Sequence, residues 1–434
     1  MKINVVTVIG ANGTMGCNVS AIFASFGGAK TYMVSRSMEQ SRKAIRRAVK
    51  SVRADSIAEN LIPADYSMLA RCVAESDLVF ESVAENMEIK LDIARRVAAL
   101  AREDVILGTG TSGLSVTALA EAYPEHLRSR FFGVHLFNPP YNMTLCELVP
   151  TMYSDTALLE ELRGYLSDTL CRTVASVKDS PAFLGNRIGF QLINRALQYA
   201  EKYKYSGGID YIDAILGPFS GRSMAPIMTA DFVGLDVHKA IVDNVHDNVS
   251  DYERDTYLLP SYVQRLIDEG RFGRKAGGGL YKQIVYENGL KRMTVYDIVT
   301  GMYRDRLDYK FPFAESMKEA IREGNYNEAI RALVDNRSAE ADICLEFLLQ
   351  YILYALYAAR EVGYSVHSAD DVMATGFNWC PPLAMAEALS TNAELAGLVK
   401  ERMDPAVLLK INADALLDTV EPSEYDYRPY FKSI

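Results

Sequence analysis

His135 and Glu147 stand twelve positions apart in the stretch RFFGVHLFNPPYNMTLCELVP, residues 130–150 of a 434-residue chain that has only five histidines. Imidazole is the side chain ordinarily tuned to accept a proton near neutral pH, and a carboxylate on its far nitrogen fixes the tautomer and steadies the imidazolium. That chemistry suits oxidation of an alcohol, in which a proton leaves the hydroxyl as hydride departs from carbon. For the pair to act, the run around His135 must be a strand. NPPYNM must then turn the chain so that Glu147, in a second strand, lies beside it. Taken alone, a histidine in an apolar run is more often structural than catalytic, so its surroundings decide.

A second candidate lies near the amino terminus. VIGANGTMG places Gly10, Gly13 and Gly16 between a strand and a helix, with Asn12, Thr14 and Met15 completing the loop. Backbone amides and the positive helix end can receive a pyrophosphate there without side-chain obstruction. The spacing is GxxGxxG rather than GxGxxG, and the same glycines would also serve a bare tight turn. Their place at the head of a long alternating series favours dinucleotide binding.

These groups need a scaffold. NVVTVIG reads as a buried strand, GTMGCNVSAIFASFGG as a small-residue helix and KTYMVS as a second strand, followed by a basic helix from Ser37 to about Asn60. DLVFESV, VILGTGT, RFFGVHLF and TVASV continue the strand series with helical stretches between most of them. The first 180 residues therefore read as a doubly wound α/β domain, with Ser112 and His135 at the carboxyl ends of strands, where ligands gather in such sheets. Beyond KDSPAFLGNRIG the strands are expected to stop. Residues 181–285 read as a helical domain and 286–434 as a second helical module, because IGFQLINRALQYAEKYKYSGGIDYIDAILGPF and LEFLLQYILYALYAAREVGYSVHSADDVMATGF share an apolar helix, a glycine turn and an acidic helix start.

Composition narrows the function classes. Apolar residues make up 49% of the chain and the formal charge is -10, which argues against general nucleic-acid binding. The charge is uneven: from Lys30 to Arg53 eight basic residues face one acid, Glu39. Six scattered cysteines form no CxxC pair, so reduced thiols and no metal are expected. No apolar run reads as a bilayer span and the first residues have no signal-peptide layout, so a cytoplasmic protein without membrane contact is expected.

Taken together, the glycine loop, ESVAENMEIK, GTSGLS, GVHLFNPP, LCELV, SPAFLGNRIG and GRFGRKAGGGLYK resemble, in order and spacing, the L-3-hydroxyacyl-CoA dehydrogenase family across roughly residues 4 to 285. The second helical module resembles the duplicated carboxy-terminal domain of longer members. The resemblance implies a Rossmann-like domain followed by helical domains of the 6-phosphogluconate-dehydrogenase-like type. It makes His135 the general base, Glu147 its orienting carboxylate, Ser112 a donor to the reacting oxygen and Asn186 a contact to that oxygen or the thioester carbonyl. Glu85 and Lys90 would sit near the nicotinamide and its ribose. The substrate would be an acyl-CoA thioester, with a free or carrier-bound hydroxy acid as the alternative and a non-catalytic nucleotide-binding scaffold as the reading from another class.

Two departures from the family pattern matter. Gly113 stands where the family usually has a second serine, and Ser35 and Arg36 stand where it has an aspartate at the end of the second strand. An acid there accepts bonds from the ribose of NAD and repels a 2′-phosphate, so its replacement by a hydroxyl and a guanidinium favours NADP over NAD. The family's CoA-contacting serine and lysine fall on Ala48 and Asp55, leaving Arg46, Lys50 or Arg53 to substitute. A second module covering the apolar face through which short members pair predicts a pseudo-dimeric monomer, or else a loose homodimer.

Overall fold

Eight strands form one sheet in the first part of the chain: β1 (Val5–Ile9), β2 (Lys30–Ser35), β3 (Leu61–Asp65), β4 (Leu78–Glu81), β5 (Ile106–Thr109), β6 (Phe131–Leu136), β7 (Leu145–Val149) and β8 (Thr173–Ser176). The computed structural model describes residues 1–286 and 289–434. The chain divides into two compact units, residues 1–183 with 362–364, and residues 184–361 with 365–434.

The sheet order in the first unit is β3-β2-β1-β4-β5-β6-β7-β8. The strands β1 to β6 are parallel, and β7 and β8 run against them as a parallel pair. The order reverses between β1 and β4, the switch point at which doubly wound sheets open a crevice. Parallel strands covered on both faces must be apolar throughout, and Val6, Val8, Met33, Val34, Phe80, Phe132 and Val134 are all buried. Helix α1 (Thr14–Ser25) follows the glycine loop and buries Cys17, Val19, Ala21, Ile22 and Phe23.

Three features differ from the sequence reading. The basic helix α2 (Met38–Val52) is shorter than expected: Ser37 caps its start and Arg53, in the left-handed region at φ 57°, ends it before a 3-10 turn. LIPAD, to which the sequence reading gave no element, forms the strand β3; its Pro63 is accommodated because β3 lies at the sheet edge, where a missing N–H is tolerated. Strands also do not stop at residue 181. A three-stranded antiparallel sheet of β9 (Tyr281–Val285), β10 (Lys291–Tyr296) and β11 (Tyr303–Asp305) belongs to the second unit.

The rest of the second unit is helical. Asp213 accepts hydrogen bonds from the Ile227 and Met228 amides at the start of the helix Pro226–Val233. In the later segment Asp370 accepts one from the Leu383 amide at the start of the helix Pro382–Ser390. The same device, a buried aspartate capping a proline-started helix, thus recurs in both halves. Burial pushes the Asp213 carboxyl up to about 7 against these bonds and that of Tyr281. The helix Ala339–Val362 is the only described one long and apolar enough to cross a membrane, contrary to the expectation that no run is; it is mostly buried inside the fold, as in a core helix.

Candidate active site

The strands β6 and β7 set the central pair. Their antiparallel register places His135 directly opposite Glu147, and His135 Nδ1 lies 2.7 Å from Glu147 Oε2. Both side chains are buried, Glu147 completely. The His135 ring is flanked by Phe137 and Phe183, with centroids at 4.6 and 5.6 Å. A carboxylate only accepts, so the hydrogen sits on Nδ1 and Nε2 keeps a lone pair. The NPPYNM turn therefore does what the sequence spacing required. Its Asn138 Oδ1 also accepts from Asn18 Nδ2 on α1, tying the turn to the glycine-loop helix.

The glycine loop fits a dinucleotide phosphate. Gly10 has φ 83°, and a Cβ there would lie 2.4 Å from the Ser82 carbonyl oxygen, on the neighbouring strand's exit loop. A Cβ on Gly16 would lie 2.4 Å from the Gly10 carbonyl oxygen, so loop and helix can approach only as glycines. Gly13 begins α1 with no side-chain cap, which leaves the first-turn amides from Thr14 to Gly16 to a ligand. Arg47 on α2 donates to the carbonyls of Asn12 (3.1 Å) and Gly13 (3.3 Å). This positioning residue was hidden in the basic run, where nothing separates it from its solvated neighbours.

At the end of β2, Ser35 is buried and its Oγ has no hydrogen-bond partner, while Arg36 is exposed. Ala48 is buried in the core below α2, so it offers a ligand nothing; Arg46, Lys50 and Arg53 are exposed.

The ends of β4 and β5 are joined by a buried polar network. Lys90 Nζ, 2% exposed, bonds both oxygens of Glu81 at 2.9 and 3.0 Å and lies 3.4 Å from Glu85 Oε2. Glu81 also accepts from the Val83 amide and from Thr109 Oγ1. Glu85 Oε1 accepts from Thr111 Oγ1 at 2.6 Å and from the Ser112 amide at 2.7 Å. Glu85, Lys90 and Ser112 are thereby brought together, and Glu81 is added to them. It lay within a motif but looked like a strand residue. Asn186 is the second residue of the buried helix Gly185–Lys202 in the other unit.

A switch-point sheet with an uncapped glycine loop on one side and a carboxylate-held imidazole on the other is the layout of a nicotinamide-dependent dehydrogenase. Comparison with known proteins narrows this. Residues 5–180 match the model for the 3-hydroxyacyl-CoA dehydrogenase NAD binding domain, and residues 183–283 that for the C-terminal domain of the same family. The chain belongs to the 3-hydroxyacyl-CoA dehydrogenase family of oxidoreductases. The mitochondrial hydroxyacyl-coenzyme A dehydrogenase of Sus scrofa is 31% identical over 64% of this chain and 90% of its own length. A probable 3-hydroxyacyl-CoA dehydrogenase of Bacillus subtilis is 29% identical over 84% of this chain, which spans 47% of that relative's length. A solved 3-hydroxybutyryl-CoA dehydrogenase from Escherichia coli shares the fold over 96% of this chain and 99% of its own, with TM-score 0.69 and 22% identity. The sequence-stretch resemblance and the NAD-binding Rossmann architecture are thus borne out, including the longer form.

Proposed function

We propose that the chain interconverts L-3-hydroxyacyl-CoA and 3-oxoacyl-CoA thioesters with NAD or NADP. The observation that carries this reading is the His135–Glu147 pair at 2.7 Å near the carboxyl end of β6. Nε2 of His135 takes the proton of the substrate 3-hydroxyl, and the buried Glu147 carboxylate stabilises the imidazolium that results. A dinucleotide held at the glycine loop would supply the acceptor for the hydride leaving C3. Ser112 donates to the reacting oxygen. Gly10, Asn12, Gly13, Thr14, Met15 and Gly16 hold the pyrophosphate, with Glu85 and Lys90 on the nicotinamide side. The names carried by the relatives support the thioester class.

The preferred cofactor is NADP. The buried Ser35 Oγ that lacks a partner and the exposed guanidinium of Arg36 suit a 2′-phosphate better than a ribose hydroxyl. The purified chain, offered 3-oxoacyl-CoA esters of graded length with NADH and with NADPH and followed by nicotinamide absorbance, should consume NADPH. Turnover only of free or carrier-bound acids would replace the thioester reading, and dinucleotide binding without turnover of any such compound would favour a scaffold.

A further inference from the structure

The geometry points to Glu81, Lys90 and Glu85 as a charge triad that sets the relative affinity for oxidised over reduced dinucleotide, an inference that rests on the dinucleotide reading above. A dinucleotide laid across a switch point has its two halves on opposite sides of the first strand. Ser35 ends β2 on one side. On the other side Glu81 ends β4 and pairs in register with Thr109 at the end of β5, and Thr109 in turn pairs with Gly133 on β6, two residues before His135. The nicotinamide half therefore lies over the triad.

The triad is fixed in place. Glu81 and Lys90 neutralise each other through two hydrogen bonds, and Glu81's remaining lone pairs are taken by Val83 and Thr109. Glu85 is the member nearest solvent, its side chain 44% exposed, yet it is anchored by Thr111, Ser112 and Lys90. Two carboxylates against one ammonium leave one formal negative charge held at the mouth of the crevice. The nicotinamide ring carries a positive charge only when oxidised. A fixed negative charge within several ångströms stabilises that form and leaves the neutral reduced ring unaffected. At an effective dielectric between those of a protein surface and water, this amounts to about threefold to thirtyfold in relative affinity.

Calorimetric titration of the whole chain with the oxidised and reduced forms of whichever dinucleotide it binds tests this without turnover. Glu85→Gln keeps the acceptor for Thr111 and Ser112 and removes the charge. It should weaken the oxidised form relative to the reduced by about threefold to thirtyfold. Lys90→Met, which leaves two negative charges, should move the ratio the opposite way. If that variant does not fold, Glu81→Gln, which leaves one carboxylate against one ammonium and keeps a single acceptor oxygen for the Val83 amide and Lys90, should repeat the Glu85→Gln shift. Equal weakening of both forms by Glu85→Gln would mean that the triad only shapes the loop, and would overturn the inference. Failure of the unaltered chain to bind either form would overturn the dinucleotide reading along with it.

Discussion

At the residue scale the proposed reaction turns on one imidazole, His135, whose Nδ1 faces the Glu147 carboxylate. His135→Ala and Glu147→Gln should each lower kcat by about 10² to 10⁴, the usual worth of general-base catalysis, with dinucleotide affinity unchanged. Folded variants keeping more than about a third of kcat would remove the assignment, since a positioned base contributes far more than that. In the proposed reading Ser35 and Arg36 set a separate property, the choice between NADP and NAD. One charge-assisted contact to a 2′-phosphate contributes about 1.5 to 3 kcal/mol, so NADPH should be preferred over NADH by about ten- to a hundredfold. Ser35→Asp combined with Arg36→Ala should reverse that preference in steady-state assays at matched cofactor concentrations. A native preference for NADH would end this part of the reading and leave His135 untouched.

At the element scale, the glycine loop and its support by α2 form one unit. Gly16→Ala would drive a methyl to within 2.4 Å of a backbone oxygen that cannot retreat, so dinucleotide binding should be abolished in calorimetry while far-UV circular dichroism persists. The helix Leu235–Asn248 carries a different liability. His238 is buried, its Nε2 bonds Asn194 Oδ1, and its Nδ1 has no partner. Burial pushes its pKa down to about 3. Below the unfolded value near 6.5 the unfolded chain takes up a proton that the folded chain refuses until about pH 3, so stability falls as the solution is acidified through that window. The loss is about 1.4 kcal/mol per pH unit for this group. Urea unfolding of His238→Gln should show a pH slope smaller by that amount than the parent chain. Identical slopes would mean that the ring takes a proton in the fold.

At the scale of the whole molecule, the second helical segment builds one compact unit with the first. Tyr354 in the helix Ala339–Val362 bonds Tyr257 and Asp251 of the earlier segment, and Tyr351 and Trp379 flank the buried Arg222. We propose that this internal contact stands in for a partner subunit. Light scattering at micromolar concentration should then give a monomer. A stable dimer would show that the internal cover is insufficient.

The sequence by itself determined the strand and helix order around the site, the glycine loop, and the pairing of His135 with Glu147, because each rests on local periodicity, a turn and a short register. It could not give β3, whose proline is permitted only by an edge position, or the extent of α2, which Arg53 ends by adopting a left-handed conformation. Nor could it separate Arg47 from the other basic residues of α2, or show that Glu81 holds Lys90 across nine positions. Those partnerships depend on which helix face meets which strand end. That is decided by packing of the whole sheet, a long-range property that local residue patterns do not encode.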